Sequence, residues 1–423
     1  MSKKLIRNIS GLVLINGLGY LCSLAIIPYL LRIYGPDNWG KLVFVSTVTN
    51  FFIWFTNWGF FQGAVKRIAR KIEDKEKNNL FWNYWFSQGL LLLVSLIFYI
   101  IILSLNLSIN SIDRSLFALS FILVFSNVIF PSWYFIALEQ IFESAFFQFL
   151  PKLLSAILIF LLIKHTDDLE AYLIIISLSS LLASLAGTLV MFKYNKLIFI
   201  KPNLRQAIEL LRTDFVWFRI SLISTLLTLV IPTYIGLFRN MVELAHFNIA
   251  EKIKSAAIII LHPISHSLYP RMNYLFSKST KEAFYFGKKS FIFLFCLSGL
   301  SSLIIFIYSR DFLFFLGGDA FIQAESLLRI ISILPFVSTI NSFLVAQVIQ
   351  PNNSGHIIER IYLFNLFLLL FFIYPAIKFF GINGIAYLIV TTELIVLLLN
   401  SYKVNRLFPL FNFFLLKKPH DFN

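Results

Sequence analysis

The chain has 423 residues, 58% of them hydrophobic and 13% charged, with a mean hydropathy of +0.81. Soluble domains carry roughly 25% charge, so this chain lacks the polar surface to cover a fold of its size in water, and its apolar content equally excludes a disordered or fibrous chain. The 36 Lys and Arg against 21 Asp and Glu give a net charge of +15, which in a membrane protein is a matter of loop placement and implies no nucleic-acid partner.

A helix needs about 20 mostly apolar residues to cross a bilayer. Lys3, Lys4 and Arg7 precede an apolar run at 8–31 that is too long for a signal-peptide core and lacks a small-residue cleavage site, so it reads as a retained first span. Further charge-free runs fall at 42–65, 78–112, 115–138, 171–192, 220–238, 255–270, 290–309, 330–358 and 361–377. Two more, 144–163 and 379–402, are each interrupted by a single charge, Lys152 and Glu393. The expectation is therefore an all-α integral membrane protein with 12 transmembrane helices. A membrane barrel is excluded because the runs do not alternate and are about twice as long as a barrel strand.

With twelve spans both termini share a side. Of the Lys and Arg, 24 fall in the loops on that side and seven in the opposite loops, which predicts both termini in the cytoplasm of a bacterial inner membrane. The longest polar stretch, 193–213, separates two groups of six spans, with basic loops after spans 2 and 8 in equivalent places. The division expected is an N-terminal six-helix lobe at 1–195, a cytoplasmic linker at 196–213 and a C-terminal six-helix lobe at 214–423, arranged around a central cavity as in parallel-repeat transporters.

Several motifs are more specific than hydropathy. Pro28-Tyr-Leu-Leu-Arg32 leads through Gly35 to Trp39-Gly40, Trp58-Gly59-Phe60 runs on to Lys66-Arg67-Ile-Ala-Arg70, Pro131-Ser-Trp133-Tyr134-Phe135 is followed by Glu139 and Lys152, and Tyr269-Pro270-Arg271 is followed by Ser277-Lys278. In this order they resemble the polysaccharide-transport branch of the MOP flippase superfamily, and within it the Wzx-type flippases. The sequence departs from that pattern at Phe135-Ile-Ala and at His246-Phe247. Taken singly, each piece also has a plainer reading: Gly35 and Gly40 as turn formers, and Trp39, Trp58 and Trp133 as interfacial aromatics.

The resemblance implies a flippase that moves undecaprenyl-pyrophosphate-linked oligosaccharide, an O-antigen or other surface polysaccharide repeat unit, from the cytoplasmic to the outer leaflet by alternating access. A polysaccharide polymerase and chain-length proteins are possible partners. Such a headgroup is doubly negative and needs fixed positive charge to replace water. Arg32, Lys152, Arg219 and Lys254 are the candidates for a cationic cavity that binds it. Pairing with Glu251, Glu325 or Asp214, or snorkelling, accounts for the in-span cations other than Lys152, which counts about 12 Å into its span from Ser144. Glu393 is the candidate ion-coupling group, with a salt bridge as its alternative.

The competing readings are a MATE-like multidrug or cation antiporter, which would favour an acidic cavity, and a membrane polysaccharide polymerase, which would need a long outer loop that this chain lacks. Walker A, His-Glu-x-x-His, Cys-x-x-Cys and Gly-x-Ser-x-Gly motifs are missing, so neither an enzyme nor a cofactor is expected. Cys22 and Cys296 are isolated in apolar stretches. His262 and His266 share a helix face, but without a further ligand nearby they read as packing residues rather than a metal site.

Overall fold

The computed structural model describes residues 3–70, 73–104, 112–352 and 355–407. The side chains of Asn16, His262 and His266 lie outside the described residues. Among the described residues all regular structure is helical, as hydrocarbon demands of a chain that must satisfy its backbone internally. Eight helical stretches are long and apolar enough to cross a membrane.

The chain divides into two compact units, Met1–Leu244 and Ala245–Asn423. The first begins with α1 (Lys3–Asn57), which at 55 residues would be about 80 Å long if straight, far more than one bilayer crossing. It is broken at Gly35, whose φ of 65° is readily reached only without a Cβ, and Pro36 follows. Contacts fix the direction of its two arms. Gly19 lies against Lys152 and Tyr29 against Ile163, so the first arm runs parallel to α6 (Ile141–Leu162). The second arm runs parallel to α4 (Arg114–Ile129), through Phe44–Phe117 and Thr49–Ser120. In turn α4 is parallel to α7 (Leu169–Asn195), through Leu119–Ser177 and Ile129–Thr188, and α7 is antiparallel to α6. The two arms of α1 therefore run in opposite directions, a hairpin turned at Gly35.

Gly40 serves a different need from a turn. A Cβ there would overlap the backbone carbonyl of Met241, so the glycine lets α1 approach the start of α9 (Met241–Lys278). Short α2 (Phe60–Ile68) and α3 (Asp74–Ser104) follow α1. Leu93, Ile97, Phe98 and Ile100 on α3 are each more than half exposed, the pattern of a lipid-facing surface.

The apolar run at 115–138 is not one helix. It stops at Phe130, and Pro131 begins a separate turn, α5 (Ser132–Ala137), because proline has no N–H to continue the ladder. That break folds Trp133, Tyr134 and Phe135 inward. All three are buried, packed with Phe60, Phe81 and Tyr84, so Trp133 is a core residue and not a member of an interfacial belt. Its indole donates to Gln88 Oε1 at 3.2 Å, and Gln88 donates to Asn57 at 3.3 Å. The last long helix of the unit, α8 (Leu204–Phe238), is capped by the Asn203 side chain.

In the second unit α9 continues into α10 (Thr280–Ile307) and α11 (Ser309–Gly317). A 3₁₀ turn (Asp319–Ala324) and α12 (Glu325–Ile331) lead into the expected span at 330–358, which is itself broken into the end of α12, α13 (Leu334–Phe343) and a π-helical turn (Leu344–Ile349). Pro335 in the first turn of α13 accounts for the interruption after Ile331. Phe343, Leu344, Val348 and Ile349 then pack with Leu294 and Val404 in the core of the unit. Helix α14 (Gly355–Leu407) repeats the device of α1, broken at Gly381 with φ 60°.

Candidate functional site

Among the described residues of the first unit, the most enclosed acidic or basic side chain is Asp214, one-third of the way along α8 and 1% exposed. Its carboxylate accepts from Tyr84 Oη at 2.8 Å and from Arg67 at 3.3 Å, and Arg67 also donates to Thr213 at 2.8 Å. A Cβ at Gly63 would overlap the carboxylate, so the glycine of α2 makes the pocket for it. Trp58 Nε1 adds a bond to Leu211 O at 2.9 Å. These contacts join α2 and α3 to the base of α8. The motif Trp58 to Arg70 thus has an architectural task that hydropathy alone does not reveal.

Of the expected cavity cations, Lys152 is the one at the midpoint of its helix. It is the twelfth of 22 residues in α6, about 16 Å from one end and about 15 Å from the other. The side chain is exposed and passes over Gly19, where a Cβ would sit 3.6 Å from Nζ. Arg32 is exposed just before the break of α1 at Gly35, thirteen residues and therefore about 20 Å along the helix from Gly19. The structure does not gather Arg32 and Lys152 into one cluster. Arg219 is exposed on α8. Asp214, one turn away, is engaged with Arg67 instead.

In the second unit Lys254 is half-buried and pairs with Glu251 at 2.7 Å, and Arg329 pairs with Glu325 at 2.7 Å, as the plainer reading of these cations expects. Glu393 is not in a salt bridge of this kind. It lines a cavity of about 380 Å³ with Asn341, Ser265, Thr339 and Tyr362. Asn400 donates to Asn341 Oδ1 at 3.2 Å, and Asn341 donates to Glu393 Oε2 at 3.2 Å, a relay of amides ending on the carboxylate. Gln347, placed by the π-helical turn, donates to Ser265 O at 2.8 Å. Buried oxygens of Ser265, Gln347 and Asn400 have no protein hydrogen-bond partner, so this region is rich in acceptors that water or a small cation would satisfy. The sequence marks Glu393, and also Asn341, Gln347 and Asn365 as uncharged polar groups within spans; what it does not show is the convergence of Asn341 and Gln347 with Ser265 and Asn400, because these residues come from separate helical segments.

The loop between α6 and α7 is tied to α1. Asp168 accepts from the backbone N–H groups of Lys164 and His165 at 3.0 and 2.9 Å, and these bonds hold its carboxyl below the usual aspartate range. Tyr34 and Asn38 of α1 donate to the carbonyls of Asp168 and Thr166.

Residues 5–276 match the family model described as "Polysaccharide biosynthesis protein". The chain belongs to this family. It is 26% identical over 397 residues to a protein of Escherichia coli K12 named "Putative O-antigen transporter", covering 92% of this chain and 94% of the relative. A Shigella dysenteriae protein of the same name is 23% identical, covering 93% and 98%. Among solved structures the fold is similar to "Lipid II flippase MurJ, inward closed conformation", with a TM-score of 0.73 at 16% identity, covering 95% of this chain and 89% of that one. It is also similar to an inward-facing multidrug resistance MATE family transporter of the MOP superfamily, with a TM-score of 0.69 at 15% identity, covering 91% and 95%. The protein is thus a multi-pass helical membrane protein of the polysaccharide biosynthesis family, with a fold similar to that of these two solved structures.

Proposed function

We propose that this family member flips undecaprenyl-pyrophosphate-linked oligosaccharide, an O-antigen or related repeat unit, from the cytoplasmic to the outer leaflet of the bacterial inner membrane. The observation that carries the reading is Lys152, a cation at the midpoint of the apolar helix α6, beside a glycine that leaves room around its ammonium. A charge at that depth costs roughly 2.5–3.5 kcal/mol on insertion scales and is kept where it meets a partner or water. An anionic diphosphate is such a partner; a cationic drug is not, which favours this reading over an antiporter of cations. Arg32, Lys152, Arg219 and Lys254 are proposed as successive positive groups along the passage, since Arg32 stands about 20 Å along α1 from Gly19, which Lys152 crosses.

The two halves, six expected spans each on either side of the linker 196–213, would alternate access, with both termini cytoplasmic. Glu393 is proposed to couple a proton or sodium ion to the cycle, supported by its polar cavity and the acceptor oxygens nearby. A polymerase and chain-length proteins would receive the product. The test is a strain lacking this gene. Lipid-linked oligosaccharide should accumulate on the inner leaflet and be cleared by the wild-type chain; normal surface glycan in the deletion strain would refute the function.

A further inference from the structure

Three arginines lie on α8 at positions 205, 212 and 219. Seven residues advance a helix by about 10.5 Å with only about 20° of drift. The three side chains therefore leave one line that climbs about 21 Å from the first turn of α8 toward its apolar body. This line is on the outer face: all three arginines are exposed, while Ala207, Leu210, Asp214 and Phe218 form the buried face. Exposed apolar residues flank the line on both sides, Leu204, Ile208 and Phe215 on one and Val216 and Ile220 on the other. At its foot Arg205 and Arg212 line an open hollow of about 840 Å³ with Asn203, Ile208 and Glu209.

We propose that this line is a docking track for a lipid-borne diphosphate, the point where the anionic headgroup of the substrate first engages the protein; the inference rests on the flippase reading above. The argument is chemical complementarity. Guanidinium forks match phosphate oxygens in paired hydrogen bonds, and the apolar flanks suit a ligand that brings a hydrocarbon tail, which a free nucleotide or phosphate would not use. The rungs are too far apart for one diphosphate to touch all three, so they act as successive stations leading from the linker to Arg219. Glu209 in the same hollow repels any anion, so the preference for a diphosphate over a phosphodiester rests on the paired arginines, whose attraction grows with the charge of the ligand.

The test uses the full chain in phosphatidylcholine nanodiscs, titrated with undecaprenyl diphosphate carrying no glycan. R205Q/R212Q is expected to weaken binding by at least about tenfold and to flatten its salt dependence, with R205K/R212K intermediate. Glu209→Gln is expected to tighten binding. Phosphatidylglycerol in place of the diphosphate is expected to bind more weakly and to respond little to the double variant. Binding of the diphosphate by R205Q/R212Q within twofold of wild type would overturn the track while leaving the flippase reading standing. An equal loss for phosphatidylglycerol would make this face a general anchor to anionic lipid and also overturn it. A wild-type chain that fails to bind undecaprenyl diphosphate would overturn the flippase reading and the track together.

Discussion

Replacing Arg67 should harm the protein more than replacing Asp214, although the two form one ion pair. The reason is their unequal burial: the Arg67 side chain is 39% exposed and that of Asp214 only 1%. Removing Arg67 strands a carboxylate against Gly63 with the Tyr84 hydroxyl as its remaining partner among the described contacts, and breaking a buried pair from that side costs about 3–5 kcal/mol. Asp214→Asn keeps an acceptor for Tyr84 and leaves a guanidinium that can still reach water and Thr213, so the loss is that of charge-assisted bonding, about 1.5–3 kcal/mol. The double variant R67A/D214N then has no stranded charge and should be more stable than R67A alone, a favourable coupling of roughly 2 kcal/mol. Reversible SDS unfolding of the four purified proteins, followed by tryptophan fluorescence, measures the cycle. An R67A variant no less stable than D214N, or a double variant less stable than R67A, would refute this account of the base of α8.

Gly40→Ala should destabilise the first unit by about 1–3 kcal/mol, because a Cβ there meets the backbone of Met241 and no side chain can move aside; thermal unfolding in detergent reads the effect. The turn capped by Asp168 should be pH-resistant: a carboxyl held below its ordinary range gives stability that is complete above that range and is lost as pH falls through the lowered value. Hydrogen exchange at the Lys164 and His165 amides should therefore stay slow from neutral pH down to the ordinary aspartate range and quicken only below it, and Asp168→Ala should make it fast throughout. For Glu393→Gln the expectation is flipping that no longer responds to an imposed proton or sodium gradient; an unchanged response in reconstituted vesicles would remove Glu393 from coupling.

Hydropathy was enough to recognise a polytopic helical membrane protein, because a bilayer imposes one length and one polarity on every crossing. It also isolated Lys152 and Glu393, since a lone charge stands out in an apolar run. It could not see backbone interruptions: 115–138 and 330–358 read as continuous runs, yet Pro131 and Pro335 break the helices and a π-helical turn follows Phe343. Long-range pairing was equally hidden. From the sequence Asp214 is a candidate partner for in-span cations, whereas its actual partners, Arg67 and Tyr84, are 147 and 130 residues away. The arginine line of α8 lay open in the sequence at heptad spacing, but counting its lower members as loop charge concealed that they share one helix with Arg219.

The central claim is that fixed positive charge within the membrane carries a diphosphate headgroup between leaflets. It is tested most directly by reconstituting the chain in liposomes with a fluorescent undecaprenyl-diphosphate oligosaccharide and measuring its transfer to the other leaflet. Wild type should transfer it, K152E should reduce the rate to that of empty liposomes at equal reconstituted protein, and K152R should retain it. Transfer by K152E at the wild-type rate would contradict the account.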